Sequence, residues 1–235
     1  MIPSRHSRHL ALAGVDERGL QCQSNATLIV IGCGGLGQPA AAALGCAGVG
    51  TLKLIDSDSL QPTNLARLSL MQAEDLGQPK VQMLAEAIRR NNPSQHIEAW
   101  EGTANARNLP SLLEGAAIVL DATDNWPTRK AIAQTCRSLG LPLVSGGALG
   151  TDGWVGVFSP TGTPLENWLR QPEQLADTCD SVGILSPLVG VIGNLMAMEA
   201  LKLLWKQHAS DAWSLLENRV LYMDARHAQT FTVDL

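Results

Sequence analysis

Residues 27–37 read Thr-Leu-Ile-Val-Ile-Gly-Cys-Gly-Gly-Leu-Gly, and they restrict the fold more than any other stretch of the chain. A β-branched apolar run without polar alternation is the pattern of a strand buried on both faces, as in a parallel sheet. It leads directly into Gly-x-Gly-x-x-Gly and then into an alanine-rich stretch to Ala47 made of good helix formers. In such a unit the backbone N–H groups at a helix N-terminus face a phosphate. Gly32, Gly34, Gly35 and Gly37 let the backbone approach phosphate oxygens, and the helix dipole adds about half a positive charge. A second strand over 51–55 closes on Asp56, about 20 residues past the turn, where a carboxylate reaches ribose hydroxyls. This predicts nucleotide binding without saying which nucleotide. Taken alone, the fingerprint favours NAD and a dehydrogenase.

The alternation of strand and helix continues. The pattern predicts a helix over 80–90 ended by Pro93, a strand over 96–100, a buried strand over 116–120 ending at Asp121, and a helix over 127–139. Strands follow over 141–145 and, half-exposed, over 154–158. The expected class is α/β, a Rossmann-like, mainly parallel sheet with helices on both faces. Ahead of it, a short helix over 5–13 carries Arg5 and Arg8 on one side. Residues 161–183 are polar, contain Pro164 and Pro172, and read as a crossover loop. Residues 184–205 form an apolar stretch long enough to span a bilayer. Pro187, Asn194, Glu199 and Lys202 interrupt it, which favours a buried helix. Segments 219–223 and 229–233 read as a closing hairpin, a C-terminal β extension. With no repeat or low-complexity tract, residues 1–235 read as one domain. Its nucleotide-binding part is 1–160, its crossover loop 161–183, and its C-terminal helix and hairpin 184–235.

Charge and cysteine usage exclude some classes. The net charge of −5 gives no global attraction to nucleic acid, and no basic run makes a local exception. The five cysteines show no Cys-x-x-Cys spacing, so no zinc knuckle can be read from them. Cys33 and Cys46 lie in apolar stretches and read as core fillers. The N-terminal residues lack an apolar signal core, and together these features point to a reducing cytoplasm.

Three further segments shift the expected nucleotide from NAD to ATP. Asn64-Leu65-Ala66-Arg67 follows the second strand, Gly77-Gln78-Pro79-Lys80 opens the next helix, and Asp121-Ala122-Thr123-Asp124-Asn125 follows the fourth. All lie at the sheet edge where open α/β folds bind ligands. Hydride transfer does not require added cations and a spare carboxylate, whereas a triphosphate does. Arg67 and Lys80 would neutralise phosphates, and Asp124 would hold Mg²⁺.

These motifs, with Arg5-His6-Ser7-Arg8-His9, Asp56-Ser57-Asp58 and residues 186–193, Ser-Pro-Leu-Val-Gly-Val-Ile-Gly, resemble the ThiF/MoeB/HesA family of ubiquitin-activating-enzyme relatives. The resemblance covers Arg5 to about residue 160 and resumes from Cys179 to Met223. It implies an enzyme that uses ATP and Mg²⁺ to adenylate the C-terminal Gly-Gly carboxylate of a ubiquitin-like sulfur carrier, releasing pyrophosphate ahead of thiocarboxylate formation for thiamine or molybdopterin synthesis. It assigns the ribose to Asp56, the phosphates to Asn64, Arg67 and Lys80, and the metal to Asp124. It implies a homodimer in which Arg8 reaches the partner's ATP. The chain lacks the paired Cys-x-x-Cys motifs that hold structural zinc in many members, so no zinc is expected. Cys179 matches a cysteine that serves the sulfur or thioester step in some members. No rhodanese-like segment is recognisable, so a separate sulfur donor is expected. Adenylation of another peptide C-terminus, or a non-catalytic carrier-binding module, remain open alternatives.

Overall fold

A computed structural model describes residues 4–169, 182–206 and 212–235. The strand before the glycine turn is β1 (Thr27–Ile31). It is joined in parallel by β2 (Thr51–Asp56), β3 (His96–Glu101), β4 (Ile118–Asp121) and β5 (Leu143–Leu149). The strands β6 (Asp152–Phe158), β7 (Arg219–Asp224) and β8 (Gln229–Asp234) continue antiparallel, giving one sheet in the order β3-β2-β1-β4-β5-β6-β7-β8. The C-terminal hairpin therefore extends the sheet itself, with Tyr222 of β7 opposite Trp154 of β6.

Helices cover both faces. They are α1 (Ser7–Leu10), α2 (Glu17–Asn25), α3 (Gly37–Ala47), α4 (Lys80–Asn91), α5 (Leu109–Leu112), α6 (Trp126–Leu139), α7 (Leu165–Trp168) and α8 (Ser186–Lys206). Alternate residues of β1 feed opposite cores, as a strand covered on both sides requires. Leu28 and Val30 pack with Leu52, Leu54, Leu44 and Met196, whereas Ile29 and Ile31 pack with Ile55, Val119, Leu113 and Ile132. The apolar C-terminal helix, α8, is long and apolar enough to cross a bilayer. It instead buries Leu188, Ile192, Met196, Ala200 and Leu204 and lies against α3, β5 and β6.

Several expectations need correction. The helix over 5–13 shortens to a 3-10 turn, Ser4–His6, followed by α1, because the chain bends toward Gly14, which sits at φ +81°. Apart from the half-buried Trp154, the strand over 154–158 is buried on both faces. Val155 and Val157 lie under α8, while Trp154 is covered by Arg129 and Trp168. Cys33 is buried as expected, but Cys46 is exposed and its thiol lies 3.4 Å from Asn91 Oδ1. Helix α2 was not anticipated. Its signal was Asp16, whose carboxylate caps it by accepting from the Gly19 N–H.

Strand order places β1 between β2 and β4, so the chain leaves β1 in one direction and returns on its other side. The crevice at the C-terminal ends of such strands is where ligands bind in open α/β sheets.

Candidate active site

The turn after β1 is shaped by backbone sterics. Gly32 has φ +95°, and its N–H donates to the Ile55 carbonyl at 2.8 Å. A Cβ on Gly37 would overlap the Gly32 carbonyl oxygen, so the first turn of α3 closes directly on the strand end. A Cβ on Gly34 would meet nothing within 4 Å, so that part of the turn faces open space. Asp56 clamps the turn from β2. Its Oδ2 accepts from the Cys33 N–H at 2.6 Å and its Oδ1 from the Asp58 N–H at 2.7 Å. Burial pushes the Asp56 carboxyl above the ordinary carboxylate range, and these two N–H donors and Lys80 oppose that shift.

Lys80 opens α4, is 8% exposed, and pairs with Asp58 at 2.7 Å. Backbone bonds sew the two segments together: Lys80 N–H to Asp58 O at 2.9 Å, Leu60 N–H to Gln78 O at 2.8 Å, and Gly77 N–H to Leu60 O at 3.0 Å. Asn64 is buried, and its Oδ1 accepts from the Gln61 N–H at 3.1 Å in a capping turn. Arg67 is half-buried and donates to the Thr63 carbonyl at 3.1 Å.

The loop after β4 rests on a buried ion pair that the sequence analysis did not single out. Asp121 is fully buried, and Arg129 of α6 lies 3.2 Å from its Oδ2. Ser145 Oγ donates to the same oxygen at 2.7 Å, and the Thr123 N–H and hydroxyl donate to Oδ1. Arg129 also donates to the carbonyls of Thr123 and Gly146, and its guanidinium lies 5.2 Å from the Trp154 ring centroid. The network holds residues 121–125 against the Gly32 turn, where a Cβ on Gly32 would run into the Ala122 carbonyl. Asp124 stands exposed on this loop with no ion-pair or hydrogen-bond partner among the described residues. Asn125 rather than an aspartate caps α6, accepting from the Thr128 N–H at 3.0 Å. The clue to Arg129 was an arginine one turn into a helix that follows a strand ending in aspartate.

Thus the Gly32 to Gly37 turn, Asp56, Lys80 and the Asp124 loop converge on one sheet edge, with the Asn64 and Arg67 segment beside them. Arg8 does not join them. Its neighbour His6 lies over Gly48, the left-handed cap at the far end of α3, and Arg5 donates to the carbonyl of Asn91 at the end of α4. The length of α3, about 1.5 Å per residue over 11 residues, separates Arg8's anchorage from the turn. Arg8 itself is exposed and without a partner among the described residues. Cys179 lies outside the described residues.

Comparison with known proteins matches residues 6–235 to the ThiF family. Over 202 residues the chain is 39% identical to the molybdopterin-synthase adenylyltransferase of Salmonella typhimurium, covering 85% of this chain and 81% of that protein. It is 36% identical over 234 residues to the adenylyltransferase and sulfurtransferase MOCS3-1 of Zea mays, covering 98% of this chain. The chain spans about half the length of that plant protein, 49%. Among solved structures, Escherichia coli MccB with ATP superposes with a TM-score of 0.82 at 20% identity, over 99% of this chain and 72% of that one. At that identity the likeness speaks to the fold.

Proposed function

Because the chain belongs to the ThiF family, we propose that it uses ATP to adenylate the C-terminal carboxylate of a small ubiquitin-like sulfur-carrier protein ending in Gly-Gly. One observation carries the reading: the anion-binding turn, Asp56, the Lys80–Asp58 pair and the Asp124 loop meet at one edge of the sheet. The names of the two relatives, both adenylyltransferases, support it.

In this reading a carboxylate oxygen of the carrier tail attacks the α-phosphorus of ATP. The bond from that phosphorus to the oxygen bridging to the β-phosphate breaks, and pyrophosphate leaves with the electron pair. A terminal carboxyl ionises near pH ~3.5, so no proton need be removed from the nucleophile. The protein's task is positioning and charge neutralisation. The turn leading into α3 receives phosphate oxygens on the N–H groups of Gly34 to Gly37, since the Gln38 and Ala40 N–H groups already donate to the Gly34 and Leu36 carbonyls and Pro39 has none. Asp56, with lone pairs left over from its two backbone bonds, accepts from ribose hydroxyls. Lys80 exchanges Asp58 for a phosphate, so the buried cation stays paired, and the Asp58 carboxylate it leaves, 63% exposed, is solvated by water. Arg67 and Asn64 complete the phosphate contacts.

Asp124 fits Mg²⁺, which takes one or two carboxylates plus phosphate oxygens rather than an all-protein cage. The described residues contain no cluster of three or more metal-binding side chains, consistent with a metal held largely by the substrate. Bound there, Mg²⁺ supplies further neutralising charge. Arg8 serves the site of a second copy in a homodimer. Hydrosulfide from a separate donor then attacks the acyl-adenylate carbonyl, the bond from that carbon to the AMP oxygen breaks and AMP leaves with the electron pair, giving the thiocarboxylate; Cys179 is assigned to that step. For the carrier's body, an aromatic row runs from the covered Trp154 of β6 outward to the exposed Phe231 on β8. Trp154, Tyr222 and Phe231 are cross-strand neighbours, Tyr222 and Phe231 stack at 5.1 Å, and Phe231 is 48% exposed. Such rows suit protein partners.

ATP–pyrophosphate exchange tests the reading. Label should enter ATP only when a purified carrier ending in Gly-Gly is added, and removing the carrier's last two glycines should abolish it. Binding of a nicotinamide dinucleotide with no binding of ATP would refute the proposal. Exchange driven instead by an unrelated peptide terminus would move it to a different carboxylate substrate.

A further inference from the structure

Gln38 is the second residue of α3, immediately after Gly37, and is 1% exposed. Its companions on the buried side of the helix, Ala40, Ala41 and Leu44, are wholly buried and apolar. Its Oε1 accepts from the backbone N–H of Leu70 at 3.3 Å, across 32 residues of sequence. Its Nε2 is buried with no hydrogen-bond partner among the described residues. A buried amide nitrogen without an acceptor carries a desolvation penalty that an alkyl side chain would not, so stability alone does not account for glutamine here.

What the side chain joins is informative. Gln38 directly follows Gly37, so the helix position from which this side chain reaches Leu70 adjoins the glycine turn. Leu70 lies in the segment that carries Arg67. There the N–H groups of Arg67 and Leu68 both donate to Asn64 O at 3.0 Å, and Met71 N–H donates to Leu68 O at 3.1 Å. Leu68 and Met71 are sunk in the core. The Gln38–Leu70 bond is the side-chain hydrogen bond between α3 and this segment among the described residues.

We infer that Gln38 is a positioning residue, which sets the Arg67 segment in register with the phosphate-binding turn so that Arg67 meets the charge developing at the reacting phosphate. The inference rests on the adenylation reading above. It acts through Arg67, whose phosphate contact strengthens as charge develops in the transition state, so the larger part of its effect falls on the rate rather than on ground-state binding.

The test compares Gln38→Met, Arg67→Ala and the double variant in the full chain. Methionine keeps the length and removes both polar atoms. Gln38→Met should melt close to the wild-type temperature, since removal of the buried unpaired Nε2 offsets loss of the acceptor for the Leu70 N–H. It should bind ATP within about twofold of wild type in calorimetry and lose about tenfold in kcat for pyrophosphate exchange. Added to Arg67→Ala, it should cost less than about twofold more, because the two changes remove one interaction. An unchanged kcat overturns the inference, as does a loss that multiplies in full with that of Arg67→Ala. A lowered melting temperature with parallel loss of ATP binding overturns it too, reducing Gln38 to a structural role. Those outcomes leave adenylation standing. Absence of exchange in the wild-type chain overturns the adenylation reading and this inference with it.

Discussion

Arg129 shows how one residue can govern a site it does not occupy. Its partner Asp121 is fully buried at the end of β4, with Ser145 and Thr123 filling the remaining acceptor positions. Removing the guanidinium leaves a buried carboxylate without its counter-charge, a change that costs about 3–5 kcal/mol in comparable sites. Arg129→Met should therefore lower the free energy of unfolding by about that amount in urea denaturation. The double variant Asp121→Asn, Arg129→Met should recover part of the loss, since it buries no charge. A single-variant loss below about 1 kcal/mol would mean that water already reaches Asp121. The glycine turn and Asp56 were legible because they act within one strand–helix–strand unit. Asp121–Arg129, Lys80–Asp58 and Gln38–Leu70 were not. Each is a tertiary pairing of a polar side chain whose type is usually solvated, with a partner that nothing in a single sequence marks.

Elements were legible where the apolar pattern is long. β1 and the core helix α8 fall within a residue or two of their expected bounds. Helix α2 was not, and α1 is shorter than the helix expected over 5–13, because few apolar residues line them and a cap or a tertiary contact decides their extent. Contacts of α1 with its neighbours are also pH-dependent. His9 meets Trp205 edge-on at 5.6 Å, and its Nδ1 is buried without a partner among the described residues. Burial lowers the pKa of both His6 and His9 from the ordinary 6.5, and for His6 the nearby His9 and Arg5 charges add to it. A base with a lowered folded-state pKa contributes stability that is complete above its unfolded value and lost as pH falls through the folded one. Docking of α1 should therefore be tight above pH 6.5 and weaken below it. Histidine proton NMR should place both midpoints under 6.5, and amide exchange in residues 5–10 should accelerate on acidification. Midpoints at or above 6.5 would show that these rings are not confined as described.

At the scale of the whole molecule, the placement of Arg8 raises the question of how many chains one site needs. The segment bearing it is anchored at the C-terminal ends of α3 and α4, while phosphate would bind at the N-terminal end of α3. On the proposed reading a second copy delivers the arginine. The outward side of α8 gives such a copy apolar surface to cover, since Val191 is 42% and Met198 51% exposed, with Leu185 at 43% just ahead of the helix. Mixing two inactive variants separates the arrangements. Arg8→Ala and Arg67→Ala should each abolish most pyrophosphate exchange while leaving the fold intact. If Arg8 works across the dimer, a mixed dimer contains one site with both arginines, because the Arg8→Ala chain keeps its own Arg67 and borrows Arg8 from its partner. Random reassortment makes about half the dimers mixed, so activity should return to about a quarter of wild type. If Arg8 served its own chain, no site in any dimer would hold both groups and mixing would restore nothing. Recovery that depends on allowing the subunits to exchange would thus tie the catalytic unit to the pair of chains rather than to either one.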